Sequence, residues 1–248
     1  MEINGHGGCL ELIRLHRSSQ KRISQRNNKC EPTKENPVNR NIAIAFVLLL
    51  LLALLLTYAA ARFPVLPFDS KSYEELQEQA GPLFDGLMRG VSALGELAIA
   101  MTLTAIAMLI FAIRRQWLEA VFMIATTSSA LLAFLLKELI HRTRPFPVTE
   151  NAGGFLQSIN QYSYPSGHVL FFVVFFGFFA YLAWIHFAGR ARLIVIAICG
   201  ALIVLIGPSR IFLGVHWASD VLGSYIIGTI WLFVLILAYQ WAIRSRIS

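Results

Sequence analysis

Apolar residues in this chain come in runs of up to about 20, broken by short polar knots, and do not alternate with polar positions. A bilayer core is crossed by roughly 20 helical residues at about 1.5 Å each, so the runs predict spanning helices. Ile42–Ala61 carries no charge at all. Val91–Ile113, Trp117–Leu136, Val169–Phe187 and Val221–Ile243 follow, with a shorter run, Leu193–Ile206, that ends at Gly207-Pro208. Lipid offers no partners for backbone N–H and C=O groups, so each run must satisfy them internally, as a helix. The expected fold class is all-α integral membrane, with six transmembrane helices at about 42–61, 91–113, 117–136, 169–187, 193–206 and 221–243. Between the first and second spans, Arg62–Gly90 places apolar residues loosely at helical spacing with acids opposite. This predicts one or two short helices on the outer surface, serving as a packed connector or as a substrate gate.

Composition agrees: 56% of the 248 residues are hydrophobic and 14% charged, where soluble domains carry about 25%. Residues 1–40 stand apart. They are polar, basic and rich in Asn and Ser, which predicts a disordered tail preceding a six-span domain over 41–248. The first apolar run begins too late for the core of a secretory signal. Cys9, Cys30 and Cys199 show neither a metal-ligand spacing nor a disulfide framework.

The net charge of +7 matters through its location. With the N-terminus in the cytoplasm, the tail, Arg114-Arg115, Gly189–Arg192 and Arg244–Arg246 lie inside and hold 14 of the 21 lysines and arginines. Both termini are then expected in the cytoplasm of a cell inner (plasma) membrane. Basic inside loops account for the positive charge, so nucleic acid is not an expected partner.

That orientation gathers three polar clusters on the outer side. The first is Lys137-Glu-Leu-Ile-His141-Arg142-Thr-Arg144-Pro145, where a seven-residue spacing puts Lys137 and Arg144 on one helix face until Pro145 stops the helix. The second, Tyr164-Pro165-Ser166-Gly167-His168, offers a hydroxyl and close backbone N–H groups at a helix N-terminus, an anion site. The third is Ser209-Arg210 followed by His216 and Asp220. At i and i+4 of a helix, the carboxylate reaches the imidazole and fixes its tautomer. Three fixed cations, a helix N-terminus and two histidines suit phosphoryl transfer, in which placement and charge stabilisation do most of the work. Lys137, Arg144 and Arg210 would bind the phosphoryl oxygens with Ser166 and Gly167. His216 would attack phosphorus, Asp220 would orient it, and His168 would protonate the leaving oxygen and then activate water.

Other polar groups read more plainly. His141 and Arg142 are expected to anchor at the interface or touch lipid phosphate, Glu96 and Glu119 to reach the headgroups, and Ser209 to support Arg210. Asp220 has only Glu138 and Glu150 nearby, which is too little for a two-metal site.

In order and at every defining position, Lys137-x6-Arg144-Pro145, Pro165-Ser166-Gly167-His168 and Ser209-Arg210-x5-His216-x3-Asp220 resemble the three signature motifs of the type 2 phosphatidic acid phosphatase (PAP2) superfamily. The likeness covers about residues 40–245. It implies a metal-independent, cofactor-free phosphatase with His216 as nucleophile. Its membrane branch dephosphorylates phosphatidate, phosphatidylglycerophosphate, undecaprenyl pyrophosphate or lipid A. Soluble relatives oxidise halides with vanadate, which the spans here argue against. The expected partner is a lipid phosphate within the bilayer, with undecaprenyl pyrophosphate or phosphatidylglycerophosphate as the leading substrates. A lipid phosphotransferase or a non-catalytic lipid transporter on the same fold are the alternatives. The sequence leaves the oligomeric state open.

Overall fold

A computed structural model describes residues 37–145 and 162–246. The tail up to residue 36, Glu150 and the Gly- and Asn-containing connector after the first cluster lie outside the described residues. The described chain is helical: α1 (Pro37–Arg62), α2 (Pro67–Glu78), α3 (Pro82–Ala93), α4 (Leu97–Ile113), α5 (Trp117–Ala125), α6 (Ser128–Ile140), α7 (Gly167–His186), α8 (Gly189–Phe212) and α9 (Ala218–Ser245). Residues Phe46–Ser248 form one compact unit, and the packing described here is within it.

Five helical stretches are long and apolar enough to cross a membrane: Arg40–Arg62, Trp117–Ile140, Gly167–His186, Gly189–Phe212 and Ala218–Ser245. A bent pair of helices is the candidate for a sixth. The expected straight span Val91–Ile113 breaks at Leu94–Glu96, where α3 and α4 meet at 62°. Gly95 lies in the break, and a side chain there would collide with His168. Proline sets the start of both helices after the first span, Pro67 in α2 and Pro82 in α3. These two helices pack against α8, and α2 also against α9, so the connector is an integral layer and not a loose surface element.

Helix α7 is apolar on every side, the signature of a helix with protein all around it. Of its most apolar stretch 61% is buried, against 6% for the first span. Phe171, Phe172, Phe175, Phe176 and Phe178 form its aromatic spine. Lipid tails are as apolar as leucine, so close contact and not the hydrophobic effect holds such helices together. Gly228 of α9 sits against Val173 and Leu170 of α7, where a Cβ would stand 3.0 Å from the Val173 Cβ, tighter than ordinary contact.

The fifth span is longer than the expected 193–206, because Pro208 lies inside α8 and does not end it. A proline removes the N–H that would bond the carbonyl four residues back, here Val204. The Tyr225 hydroxyl of α9 braces the loosened turn, donating to the Ile203 carbonyl at 2.6 Å and lying 3.3 Å from the Val204 carbonyl. The same oxygen accepts from the Gly207 N–H at 3.0 Å. The helix therefore continues to Phe212 and carries Ser209 and Arg210 in its last turn.

Candidate active site

Each of the three clusters ends or begins a spanning helix, and the local geometry decides where its side chains go. Helix α6 stops at Ile140, five residues before Pro145. His141 caps it in the left-handed conformation (φ 54°), with its N–H on the Lys137 carbonyl at 3.0 Å. Lys137 is thus a buried residue of the last helical turn, while Arg144 belongs to the chain beyond the cap. The expected shared helix face does not exist. The two cations still meet, because the chain turns back at the cap, and Arg144 Nη1 donates to the Val215 carbonyl at 3.4 Å.

The segment after the cap then pairs with the start of the second cluster. Ser163 N–H donates to the Arg142 carbonyl at 2.8 Å, the Ser163 hydroxyl donates to the Thr143 carbonyl at 3.0 Å, and Thr143 and Tyr162 form an antiparallel bridge. Ser166 is the N-cap of α7. Its N–H donates to Ser224 Oγ at 2.7 Å, and its own buried hydroxyl has no hydrogen-bond partner among the described residues. An unsatisfied buried donor is costly and calls for a ligand or a functional explanation.

In the third cluster the expected helical pairing is replaced by a cap. Helix α9 begins at Ala218, so His216 lies before it, and Asp220 is the third residue of the helix, accepting the Trp217 N–H on Oδ2 at 2.9 Å. That carboxylate oxygen is 3.8 Å from His216 Nδ1, an ion-pair distance and not a hydrogen bond. The atom that bonds Nδ1 is the Ser163 carbonyl oxygen, at 2.7 Å. A carbonyl can only accept, so Nδ1 carries the proton and the Nε2 lone pair is the one left for chemistry. Burial, and then the charges of Arg144, Arg210, Lys137 and His168, hold the His216 pKa well below the ordinary histidine value. Its resting form is the neutral imidazole.

The structure brings these predicted residues into one site. Lys137, Arg144 and Arg210 act electrostatically on both His168 and His216 and on one another. Arg210 Nη1 also donates to the Ser92 hydroxyl, and Ser209 Oγ donates to the Met88 carbonyl at 2.6 Å, fastening the end of α8 to α3. His168 packs against Gly95, whose absent side chain would stand 2.4 Å from the imidazole Cδ2. Among the described residues no group of three or more His, Cys, Asp or Glu side chains is arranged to hold a metal ion.

Two expectations about neighbouring charges are overturned. Arg142 does not anchor at the interface. It is 3% exposed and donates to Asp69 and Asp220 at 2.9 and 2.5 Å. Glu119 does not reach out to the headgroups either. It accepts from Tyr239 at 2.8 Å and pairs with His186 at 3.3 Å between the helices. Sequence reasoning also passed over Ser163, Asp69, Ser92 and Gly95. Gly95 alone left a signal, a glycine beside an acid near the start of an apolar run.

The PAP2 superfamily model matches residues 116–244, just over half of the chain and all three clusters. The chain belongs to the PAP2 superfamily. It is 30% identical to phosphatidylglycerophosphatase B of Bacillus subtilis over 158 residues, 62% of this chain and 74% of that protein. It is 35% identical to the putative undecaprenyl-diphosphatase YbjG of Escherichia coli over 43% of this chain and 50% of that protein. The crystal structure of a transmembrane PAP2-type phosphatidylglycerolphosphate phosphatase from Bacillus subtilis superposes with a TM-score of 0.67 at 28% identity, covering 79% of this chain and 96% of that one. Aquifex aeolicus LpxE shares the fold, with a TM-score of 0.52 at 21% identity over 69% of this chain and 96% of that one. These relatives place the chain among the membrane PAP2 phosphatases.

Proposed function

We propose that this protein hydrolyses the terminal phosphate of a membrane lipid, a phosphomonoester or a pyrophosphate, at the outer face of the inner (plasma) membrane through a phosphohistidine. The observation that carries the reading is the His216 imidazole. It is neutral, bonded through Nδ1 to the Ser163 carbonyl, and set among Lys137, Arg144 and Arg210. In this reading the three cations bind the phosphoryl oxygens together with the Ser166 hydroxyl and the Gly167 end of α7. Nε2 attacks phosphorus in line, the N–P bond forms as the P–O bond to the lipid breaks, and His168 gives its proton to the departing oxygen. A water then loses a proton to His168 and attacks phosphorus, the N–P bond breaks, and inorganic phosphate leaves. The phosphorylated imidazole keeps its Nδ1 proton and gains positive charge, which the Asp220 carboxylate at 3.8 Å offsets.

Every catalytic role falls on a side chain of this chain, so turnover is expected without a metal ion. The names of the relatives support phosphatidylglycerophosphate and undecaprenyl pyrophosphate as substrates to test first. The test is phosphate release by the purified protein from a panel of lipid phosphates in detergent with EDTA. Turnover that vanadate inhibits is expected, with His216→Ala lowering it about 10³-fold or more. Wild-type rates in the His216→Ala protein would dismiss the nucleophile. Dependence on added divalent metal would dismiss the metal-free scheme.

A further inference from the structure

Asp69 lies on α2, far in sequence from all three clusters, yet it is fully buried and takes four hydrogen bonds. Its Oδ2 accepts from the Leu66 N–H, the Ser219 hydroxyl and Arg142 Nη2, each at 2.9 Å, and its Oδ1 accepts from the Ser219 N–H at 2.8 Å. Arg142, equally buried, spends its other donors on Asp220 Oδ1 at 2.5 Å, the Ser219 hydroxyl at 2.7 Å and the Pro64 carbonyl at 3.2 Å. One guanidinium therefore stands between two carboxylates, one from the outer connector and one beside the His216 ring.

A buried cation next to a buried carboxylate would normally be spent as a neutral pair, leaving Asp220 little attraction to offer a charge forming on His216. Asp69 changes that balance. With two carboxylates sharing Arg142, the cluster keeps a net negative charge beside the imidazole Nδ1. The three bonds that Asp69 and Arg142 make to Ser219 also fix the first turn of α9, and with it the Trp217–Asp220 cap that holds the carboxylate 3.8 Å from Nδ1. Leu66 and Pro64 tie the same cluster to the chain leaving the first span.

We propose that Asp69 and Arg142 are positioning residues for the reaction. Acting through Asp220, Asp69 preserves a negative charge for the imidazolium-like state of His216, and Arg142 holds both carboxylates in place. The proposal rests on His216 being the nucleophile of the reading above. The charged and titratable groups acting on His216 are then Lys137, Arg144, Arg210 and His168, with Asp220, backed by Arg142 and Asp69, 3.8 Å from Nδ1.

The test compares wild type, Asp69→Asn, Ser219→Ala and Arg142→Lys in detergent, on the lipid phosphate with the highest wild-type turnover. Charge support matters only once His216 begins to bond, so it stabilises the transition state and not the bound substrate. Asp69→Asn should lower kcat about tenfold or more with KM within about twofold. Vanadate, which mimics the five-coordinate phosphorus, should bind more weakly by a similar factor, while product inhibition by phosphate stays within about twofold. Ser219→Ala keeps all three charges and should lose less than about threefold in kcat. Arg142→Lys keeps the charge but cannot make the fan of bonds, and should lose kcat with KM retained. It decides the matter if Asp69→Asn does not fold.

A folded Asp69→Asn protein with wild-type kcat and vanadate affinity overturns the proposal. So does one whose vanadate and phosphate affinities fall together, since that marks a general loosening. If wild type releases no phosphate from any lipid in the panel, the underlying reading fails instead, and the two failures stay separate.

Discussion

The tautomer of His216 is the detail on which the chemistry turns. A carbonyl partner at Nδ1 delivers Nε2 as a nucleophile without demanding that Asp220 surrender its bonds to Arg142 and Trp217. Because burial and three cations depress its pKa, His216 stays neutral through the ordinary histidine range. Protonation removes the lone pair, so the acid limb of kcat/KM from His216 is expected well below pH ~6.5, the ordinary value. Two esters whose own phosphates ionise differently identify the limb: one belonging to His216 stays in place when the ester is changed. A His216 limb at or above the ordinary value would contradict the buried, cation-flanked site. Gly95→Ala tests His168 in the same way. A methyl 2.4 Å from the imidazole must displace it, and about a tenfold or larger fall in kcat is expected with the protein still folded. Undiminished turnover would place His168 outside the reaction. These residues differ in how far the sequence revealed them. Lys137, Arg144, His168, Arg210 and His216 were legible because the chemistry of each lies in its side-chain type. Ser163 was not, since it contributes a backbone carbonyl and any residue could stand there. Arg142 looked like an interfacial anchor because its partner Asp69 is 73 positions away and sits in a connector with no motif.

At the scale of the helices, the length of the apolar runs marked the candidate spans, and tertiary contacts moved their ends. A chain read locally must stop at Gly207-Pro208, since nothing nearby can replace the missing N–H. The brace, Tyr225, comes from another helix. Tyr225→Phe removes one hydroxyl that serves two carbonyls and one N–H. The expected cost is about 1 kcal/mol of stability, given that polar contacts between membrane helices are worth roughly 0.6 to 2 kcal/mol. Arg210 lies two residues beyond Pro208, so the variant should also lose several-fold in kcat/KM. A Tyr225→Phe protein with wild-type melting in detergent and wild-type kcat/KM would show that α8 keeps its course unaided. The bend at Leu94–Glu96 escaped the sequence for the converse reason. The run Val91–Ile113 is apolar enough to be one straight helix, and the His168 ring that packs on Gly95 at the break comes from a distant part of the chain.

For the whole molecule, the three clusters have chemical sense only if they share one side of the membrane, and helix order requires that they do. Two spans separate the α6 end from the α9 start, and α7 begins where the connector from α6 returns. The side itself follows from the arginines. Arg114-Arg115, Arg190 with Arg192, and Arg244 with Arg246 mark the opposite ends of the same helices, and basic loops are retained in the cytoplasm. The site is therefore expected to face away from the cytoplasm, where a lipid delivered to the outer leaflet presents its phosphate. Single cysteines placed at Ser70 in α2 and at Ala188 before α8, in a protein with Cys9, Cys30 and Cys199 replaced, can be offered a membrane-impermeant maleimide on intact cells. Labelling at position 70 with protection at position 188 until the membrane is opened is the expected pattern. The reverse would put the phosphate site in the cytoplasm. The arginine pairs would then need another explanation, and the substrate would have to be a lipid phosphate of the inner leaflet.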